Sequence, residues 1–151
     1  MTDLPLVEKR LAIIDTCVAD IRRLARVDRL DTDILQRRFV ERTLQVAIQA
    51  ALDVGSHIVS ERRLGEPATN RELFLLLERD GWIAGDLRGR LAAMAGFRNV
   101  IVHGYDDIDL GIVRDVVVNR LDDLCVFADC IRRKLREEGA PPGSTEPLGN
   151  A

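Results

Sequence analysis

Residues 110–138 read LGIVRDVVVNRLDDLCVFADCIRRKLREE and decide the fold class of this chain. Their apolar residues recur at spacings of three and four, the period of one face of an α-helix. A helix cannot bury such a face by itself, so the pattern predicts a long helix packed in a bundle. The face consists of Val113, Val117, Leu121, Leu124, Ala128, Ile131 and Leu135.

Helical periodicity extends over nearly the whole chain, and no strand-like alternation stands out. The pattern predicts helices over residues 4–26, about 31–63, 72–79 and 85–102 ahead of the last one. The fold is therefore predicted to be all-α, an antiparallel helical bundle of four longer helices plus one short helix. Boundary signals are Asp3 and Pro5 for the first helix, Asp31 or Thr32 for the second, Thr69 or Asn70 for the third, and Gly104 after the fourth.

Two sets of residues define the predicted packing of these helices. The first helix carries an apolar stripe, and the second carries small residues that permit a neighbouring helix to approach closely. The stripe consists of Leu6, Leu11, Ile14, Val18, Ile21 and Leu24, and the small residues are Ala47, Ala50, Ala51 and Gly55.

Composition indicates a single folded domain. The chain has 151 residues, of which 46% are hydrophobic and 31% charged, and this balance excludes a disordered protein. We expect a helical domain over residues 1–138 and a disordered tail over residues 139–151, which begins with Gly and Pro. No apolar run approaches the roughly 18 residues of a membrane span, and the start lacks a signal sequence, so a cytoplasmic protein without a membrane segment is expected.

Charge and cysteine content narrow the function classes. A net charge of −3 argues against a protein that coats nucleic acid nonspecifically. Arginine supplies 20 of the 22 basic residues, which favours local phosphate-binding clusters or reflects a genomic codon bias. Three cysteines without a C-x-x-C pair indicate neither a disulfide framework nor a zinc site, so Cys17, Cys125 and Cys130 are expected to be buried thiols.

The two histidines differ in context. His57 lies within a predicted helix and is expected at the helix surface or the edge of the core. His103 lies near Arg98, Asn99 and Tyr105 at a helix end. On an ideal helix Arg98 and His103 are about 140° apart. They can share one phosphate if the arginine reaches around the helix, if the last turn unwinds at Gly104, or if a second copy contributes.

This set of residues could cleave a phosphodiester. An imidazole can transfer a proton near neutral pH, and an arginine can stabilise negative charge on the phosphate in the transition state. RNA supplies its own nucleophile, the 2′-hydroxyl, so no metal or cofactor is required. The structural alternative is that Arg98 caps a helix end, His103 bonds last-turn carbonyls and Tyr105 packs with its hydroxyl outward.

Two further features have simpler explanations than a functional site. Asp106, Asp107 and Asp109 could form a metal site with His103, but Asp107 or Asp109 is better explained as the N-cap of the last helix. Trp82, the only tryptophan, is expected in the core rather than on a base-stacking surface.

The string Arg98-Asn99-Val100-Ile101-Val102-His103-Gly104-Tyr105 resembles the Arg-x4-His-x-Tyr motif of the HepT-like branch of the HEPN superfamily. Residues 39–58 and 94–97 resemble the same family, in the same order and at the right separation. The resemblance covers about residues 5–135. It is specific because several segments match in order and at the right separation, whereas a lone Arg-x4-His match would be a weak signal.

The resemblance implies a toxin of a toxin-antitoxin system that acts as a metal-independent RNase. It implies Arg98 and His103 as catalytic residues, supported by Asn99, and a minimal nucleotidyltransferase antitoxin that transfers AMP to Tyr105. We also expect a homodimer, from the angle between Arg98 and His103 and from the small-residue face of the second helix. The alternative function is a non-catalytic helical module that docks a nucleotidyltransferase or binds its nucleotide.

Overall fold

The computed structural model describes residues 2–103 and 108–139, and at positions 102 and 103 it describes the backbone alone. Every regular element within these ranges is helical, which confirms the all-α prediction, and none is long and apolar enough to cross a membrane. The tail from residue 140 onward lies outside the described residues. The helices are α1 (Leu4–Leu24), α2 (Ile34–Glu61), α3 (Asn70–Arg79), α4 (Gly85–His103), α5 (Leu110–Asp115) and α6 (Leu121–Gly139), with a 3₁₀ turn at Val27–Arg29 and a π-helical turn at Val116–Arg120.

Helices α1 and α2 pack antiparallel, and hydrogen bonds join them at both ends. At one end the amide of Asp3 donates to Nε2 of His57 at 3.1 Å. At the other end Nε2 of Gln36 donates to the carbonyl of Leu24, also at 3.1 Å. His57 is half-buried and has a structural partner, so its expected place at the core edge is confirmed.

Helix α6 lies antiparallel to α1 and also contacts α4. Arg132 Nη2 of α6 pairs with Asp15 Oδ2 of α1 at 2.7 Å. Asp122, near the start of α6, pairs with Arg22, near the end of α1. Arg90 of α4 donates from Nε to Oδ1 of Asp123 at 2.8 Å. Because Asp123 is 8% exposed, this pair compensates a nearly buried carboxylate between the two helices.

Trp82 lies in the core, as expected from the sequence. It is 1% exposed, and its Nε1 donates to Oδ2 of Asp80 at 3.0 Å. The Arg62 guanidinium lies 5.2 Å from the centroid of the indole ring, and Lys134 Nζ lies 5.7 Å from it. The indole therefore joins the end of α2 to α6 and is not free to stack on a base.

The small-residue face of α2 is used within the chain. Ala47, Ala51 and Gly55 are all buried. A Cβ atom on Gly55 would lie 3.1 Å from Leu77 Cδ1 and 3.4 Å from Leu73 Cδ2, so α3 packs directly on this glycine. Close helix approach is thus confirmed, but the expectation that this face supports a homodimer is wrong, because α3 and the core already cover it.

The start of α2 differs from the prediction. Asp33 is the N-cap and accepts hydrogen bonds from two amides of the first turn, whereas Asp31 and Thr32 were the expected start signals. The reason is a tertiary contact: Asp31 Oδ2 pairs with Arg114 Nη2 of α5 at 2.6 Å. The carboxylate of Asp31 holds the α1–α2 connection against α5 and cannot also cap α2.

The last predicted helix is continuous but contains the π-helical turn. Val113, Leu121 and the other central members of its stripe are buried, whereas Val117 is half-buried and its neighbour Val116 is 6% exposed. The stripe advances by four residues from Val113 to Val117 and by four more to Leu121, whereas two α-helical turns take about 7.2 residues. The wider π-helical turn accommodates the difference of almost one residue. In α1 the stripe is also shifted, since Val7 is buried and Leu24 is 45% exposed.

Candidate functional site

Helix α4 positions the Arg98 motif. Its core face consists of Leu87, Leu91, Met94 and Phe97, all buried as the sequence predicted. Arg98 follows Met94 by four residues and lies on the same side of the helix. Its stem is therefore half-buried at the end of the bundle, where the apolar contacts of α4 give way to polar ones.

No carboxylate among the described residues neutralises the guanidinium of Arg98, and Asp106 and Asp107 lie outside those residues. Nη1 donates to Oδ1 of Asn99 at 3.1 Å, and Nε is buried without a hydrogen-bond partner among the described residues. Other arginines, such as Arg62 and Arg90, pair with Glu138 and Asp123. Nε is inaccessible to solvent, so an anion would bind at the terminal nitrogen atoms of this half-buried cation, and the position is chemically suited to hold a phosphate there.

Asn99 lies beside Arg98 at the mouth of an open cleft. Its side chain is exposed and lines a depression of about 420 Å³ together with Ser56, Thr69 and Asn70. The structure thus brings Arg98 and Asn99 together, and Asn99 borders polar space that could receive part of a polynucleotide.

His103 is the last residue of α4, and its side chain lies outside the description, as does all of Tyr105. The backbone remains helical through position 103, so the expected angle of about 140° between positions 98 and 103 applies. The helix does not unwind before His103, and Gly104 lies outside the described residues. Unwinding at Gly104, a long reach by the arginine and a contribution from a second copy all remain as ways to join Arg98 and His103 at one phosphate.

The side of α4 opposite its core face is a stripe of exposed small and apolar residues. This α4 stripe consists of Gly89, Ala93, Gly96 and Val100, and position 103 continues it by helical register. No side chain or neighbouring backbone lies within 4 Å of a Cβ built on Gly89 or Gly96. Sequence reasoning missed this stripe, although its spacing of four, three and four was visible beside the core pattern.

The acidic residues before the last helix have a structural role where they are described. Asp109 is the N-cap of α5, and its Oδ1 accepts a hydrogen bond from the amide of Gly111 at 2.8 Å. Asp106 and Asp107 lie outside the described residues. Among residues 2–103 and 108–139, no group of three or more His, Cys, Asp or Glu is arranged to hold a metal ion.

The three thiols are free, but they are buried to different degrees. Cys17 is buried, as expected, whereas Cys125 and Cys130 are half-buried. Burial raises the pKa of the Cys17 and Cys125 thiols. Both side chains therefore remain protonated near neutral pH and are poor nucleophiles.

The chain is similar to proteins of one family over most of its length. The family described as Ribonuclease HepT-like matches residues 14–131. The chain is 30% identical to the mRNA nuclease HepT of Shewanella oneidensis, over 84% of this chain and 96% of that protein. It is 33% identical to the tRNA nuclease HepT of Aphanizomenon flos-aquae, over 69% and 72% of the two chains.

A solved structure has the same fold. The tri-AMPylated HEPN toxin of Shewanella oneidensis, solved in complex with its MNT antitoxin, superposes with a TM-score of 0.79 at 30% identity. The match covers 88% of this chain and 99% of that chain. With the family match extending over residues 14–131, the chain belongs to the HepT-like ribonuclease family.

Proposed function

We propose that this protein is the toxin of a toxin-antitoxin pair, a metal-independent ribonuclease that acts in the cytoplasm and is neutralised by AMP transfer to Tyr105. Its relatives are named mRNA and tRNA nucleases, and one was solved as an AMPylated toxin with its antitoxin. The observation that carries the proposal is the position of Arg98, half-buried at the end of α4 five residues before His103, with no carboxylate partner among the described residues. By analogy the antitoxin of this chain is a minimal nucleotidyltransferase.

The reaction uses the nucleophile that RNA itself provides. The 2′-oxygen attacks the adjacent phosphorus, the bond from phosphorus to the 5′-oxygen breaks, and the products are a 2′,3′-cyclic phosphate and a 5′-hydroxyl. One proton leaves the 2′-hydroxyl and one reaches the departing 5′-oxygen. His103 transfers a proton in this exchange as general acid or base, for which an imidazole is suited at neutral pH.

Arg98 stabilises the phosphate, on which negative charge increases as the 2′-oxygen adds. Its Nη1 donates to the neutral Asn99, and no carboxylate of the described residues opposes its positive charge. Asn99 orients the guanidinium through its side-chain oxygen and lines the cleft. Such preorganised donors are effective because they need little rearrangement during the reaction.

A symmetric homodimer would bring the two motifs together. The α4 stripe is exposed, and its glycines and alanine permit two helices to approach closely, although Gly89 and Ala93 also line a pocket of about 310 Å³ with residues of α5 and the π-helical turn. Because position 103 continues the stripe, a twofold axis near Gly96 and Val100 would bring both copies of His103 together. Arg98 lies on the core side of α4, so a phosphate shared with His103 requires the long arginine side chain to reach around the helix.

Expression of the chain alone tests the function. We expect growth arrest with the wild-type protein and normal growth with His103→Ala. The chain's only other histidine gives the control: His57→Gln retains an acceptor for the Asp3 amide and should arrest growth like the wild type.

Purified protein then separates catalysis from docking. Wild-type protein should cleave RNA in EDTA, and His103→Ala should be slower by a factor of about 10² to 10⁴. Cleavage at the parental rate by folded His103→Ala would show that the catalytic assignment is wrong. A wild-type protein that binds its nucleotidyltransferase but never cuts RNA would instead be a non-catalytic docking module.

A further inference from the structure

Arg63 occupies a backbone position that ordinarily belongs to glycine. Helix α2 ends in a Schellman motif, in which the amide of Leu64 donates to Val59 at 3.0 Å and that of Arg63 donates to Ser60 at 3.2 Å. The central residue of this motif is left-handed, and Arg63 has a φ of 51°, the only positive φ of a non-glycine residue in the described chain. A side chain there is unfavourable relative to glycine, so Arg63 does not serve the backbone, and any role it has lies in its guanidinium.

The side chain of Arg63 is exposed and unpaired. Within the described ranges it makes no hydrogen bond and no ion pair, unlike its neighbour Arg62, which pairs with Glu138. It lines an open depression of about 550 Å³ with Ser56, Ser60 and Glu66. The guanidinium is thus available to an external anion.

This depression adjoins the one lined by Asn99, the hydrogen-bond partner of Arg98. Ser56 and Pro67 line both, so the two together form one cleft that extends from Arg63 to Asn99. Seven residue steps separate Ser56 of α2 from Arg63, just beyond the end of that helix, which corresponds to a length of about 10 Å. Glu66 is the only carboxylate among the lining residues, and the remaining polar groups are hydroxyls, amides and Arg63 itself.

We propose that this cleft is the track of the RNA strand beyond the scissile phosphate, with Arg63 binding a backbone phosphate at its far end. The proposal rests on the ribonuclease function proposed above and extends the substrate site beyond the Arg98 motif. A single strand fits better than a duplex, since the cleft is lined by one arginine and short polar side chains rather than by a broad basic surface. The phosphate binds at Arg63 and away from Glu66, whose carboxylate repels it.

A structural role for Arg63 makes a different prediction. A cation at the C-terminal end of a helix interacts favourably with the helix dipole. If that were its purpose, Arg63→Gly would lower the melting temperature and leave RNA binding unchanged. If Arg63 is retained for RNA, Arg63→Gly relieves the backbone, and the melting temperature stays the same or rises.

Salt-dependent binding to a short fluorescein-labelled single-stranded RNA of mixed sequence tests the track. Binding is measured in the His103→Ala background, which separates it from cleavage. We expect Arg63→Gly to weaken binding roughly tenfold at low salt and to reduce the slope of log K against log salt by about 0.7, the share of one phosphate contact. Arg79→Ala is the matched control. It removes an equal positive charge from the C-terminal end of α3, whereas the cleft lies at the N-terminal end of this helix. The slope of log K against log salt should therefore equal that of the parent.

Cleavage by the active enzyme supplies the second measurement. Arg63→Gly should raise KM and leave kcat close to the parental value, because it removes binding away from the reacting phosphate. An unchanged slope and an unchanged KM would overturn the track. If the wild-type protein does not cleave RNA at all, the proposed ribonuclease function is wrong. A smaller slope of log K against log salt in Arg63→Gly would still identify the cleft as an RNA-binding site.

Discussion

The Arg98 guanidinium donates to the side-chain oxygen of its neighbour Asn99 at 3.1 Å, and no described carboxylate neutralises it. Its Nε is buried without a partner. This is unfavourable for the free protein, because a buried donor loses its hydration without gaining a bond. The positive charge still favours RNA binding, because a phosphate can accept from the terminal Nη atoms of the guanidinium, although not from the buried Nε. Stability and activity are therefore opposed at this residue.

The substitution Arg98→Met should separate the effect of this residue on stability from its effect on activity. Methionine retains the apolar stem and removes the unsatisfied donor, so the melting temperature should remain the same or rise. Cleavage should fall by about 10² to 10³, as when a preorganised donor to a transition-state charge is removed. Arg90→Met is the comparison, since it leaves the nearly buried Asp123 unpaired and should destabilise the fold. A large loss of stability in Arg98→Met would mean that Arg98 is structural.

Local signals in the sequence were sufficient for much of the fold. Asp3, Thr69 and Asp109 each cap the helix that follows, as expected, because an N-cap depends on residues within one turn of itself. Core stripes were also readable from spacing alone. The four predicted core residues of α4 are all buried, since the helical period fixes which side chains share a face.

Features that depend on contacts with distant parts of the chain could not be predicted from the sequence. Asp31 fails as a cap because Arg114, 83 residues away, takes its carboxylate. The small residues around Gly55 signalled a close contact, but spacing cannot tell whether α3 or a second copy makes it. Arg63 was not identified, because its importance lies in a left-handed backbone and a cleft that form only when α2, α3 and α4 pack together.

Mixing of inactive subunits should restore activity if the homodimer builds the site from both copies. Arg98→Ala and His103→Ala are each expected to be inactive alone. After unfolding and refolding together, mixed dimers contain one intact arginine and one intact histidine across the twofold axis, and partial cleavage should return. Val100→Asp, which places a charge in the α4 stripe, should abolish dimerisation and activity together. A Val100→Asp protein that is monomeric by light scattering and fully active would exclude a shared site.

Enlarging Gly55 should destabilise the bundle. Valine adds two methyl groups to a Cβ that already lies 3.1 Å from Leu77 Cδ1, and overpacking of a core contact costs about 1–3 kcal/mol. Gly55→Ala should be much milder, because the flexible end of the leucine can move and alanine favours the helix. Urea unfolding gives both free energies. Equal stability of the two variants would show that α3 does not pack closely on Gly55.

Tyr105 is the proposed site of neutralisation, although it lies outside the described residues. It follows His103 by two residues, so AMP attached to its hydroxyl would place a phosphate and an adenosine next to the arginines that receive RNA. The added negative charge would then occupy the donors of Arg98, and the adenosine would block the strand. AMP transfer from ATP forms a bond between the tyrosine oxygen and the α-phosphorus and releases pyrophosphate.

Co-expression with a nucleotidyltransferase encoded beside this chain should add AMP to Tyr105 and abolish RNA cleavage, as seen by peptide mass spectrometry and by assay of the purified toxin. Tyr105→Phe keeps the ring but lacks the accepting oxygen, so it should cleave RNA and remain toxic in the presence of the same partner. Removal of the AMP from the modified wild-type toxin by a phosphodiesterase should restore cleavage. If Tyr105→Phe is neutralised as completely as the wild type, binding of the antitoxin is sufficient and the modification is not the mechanism.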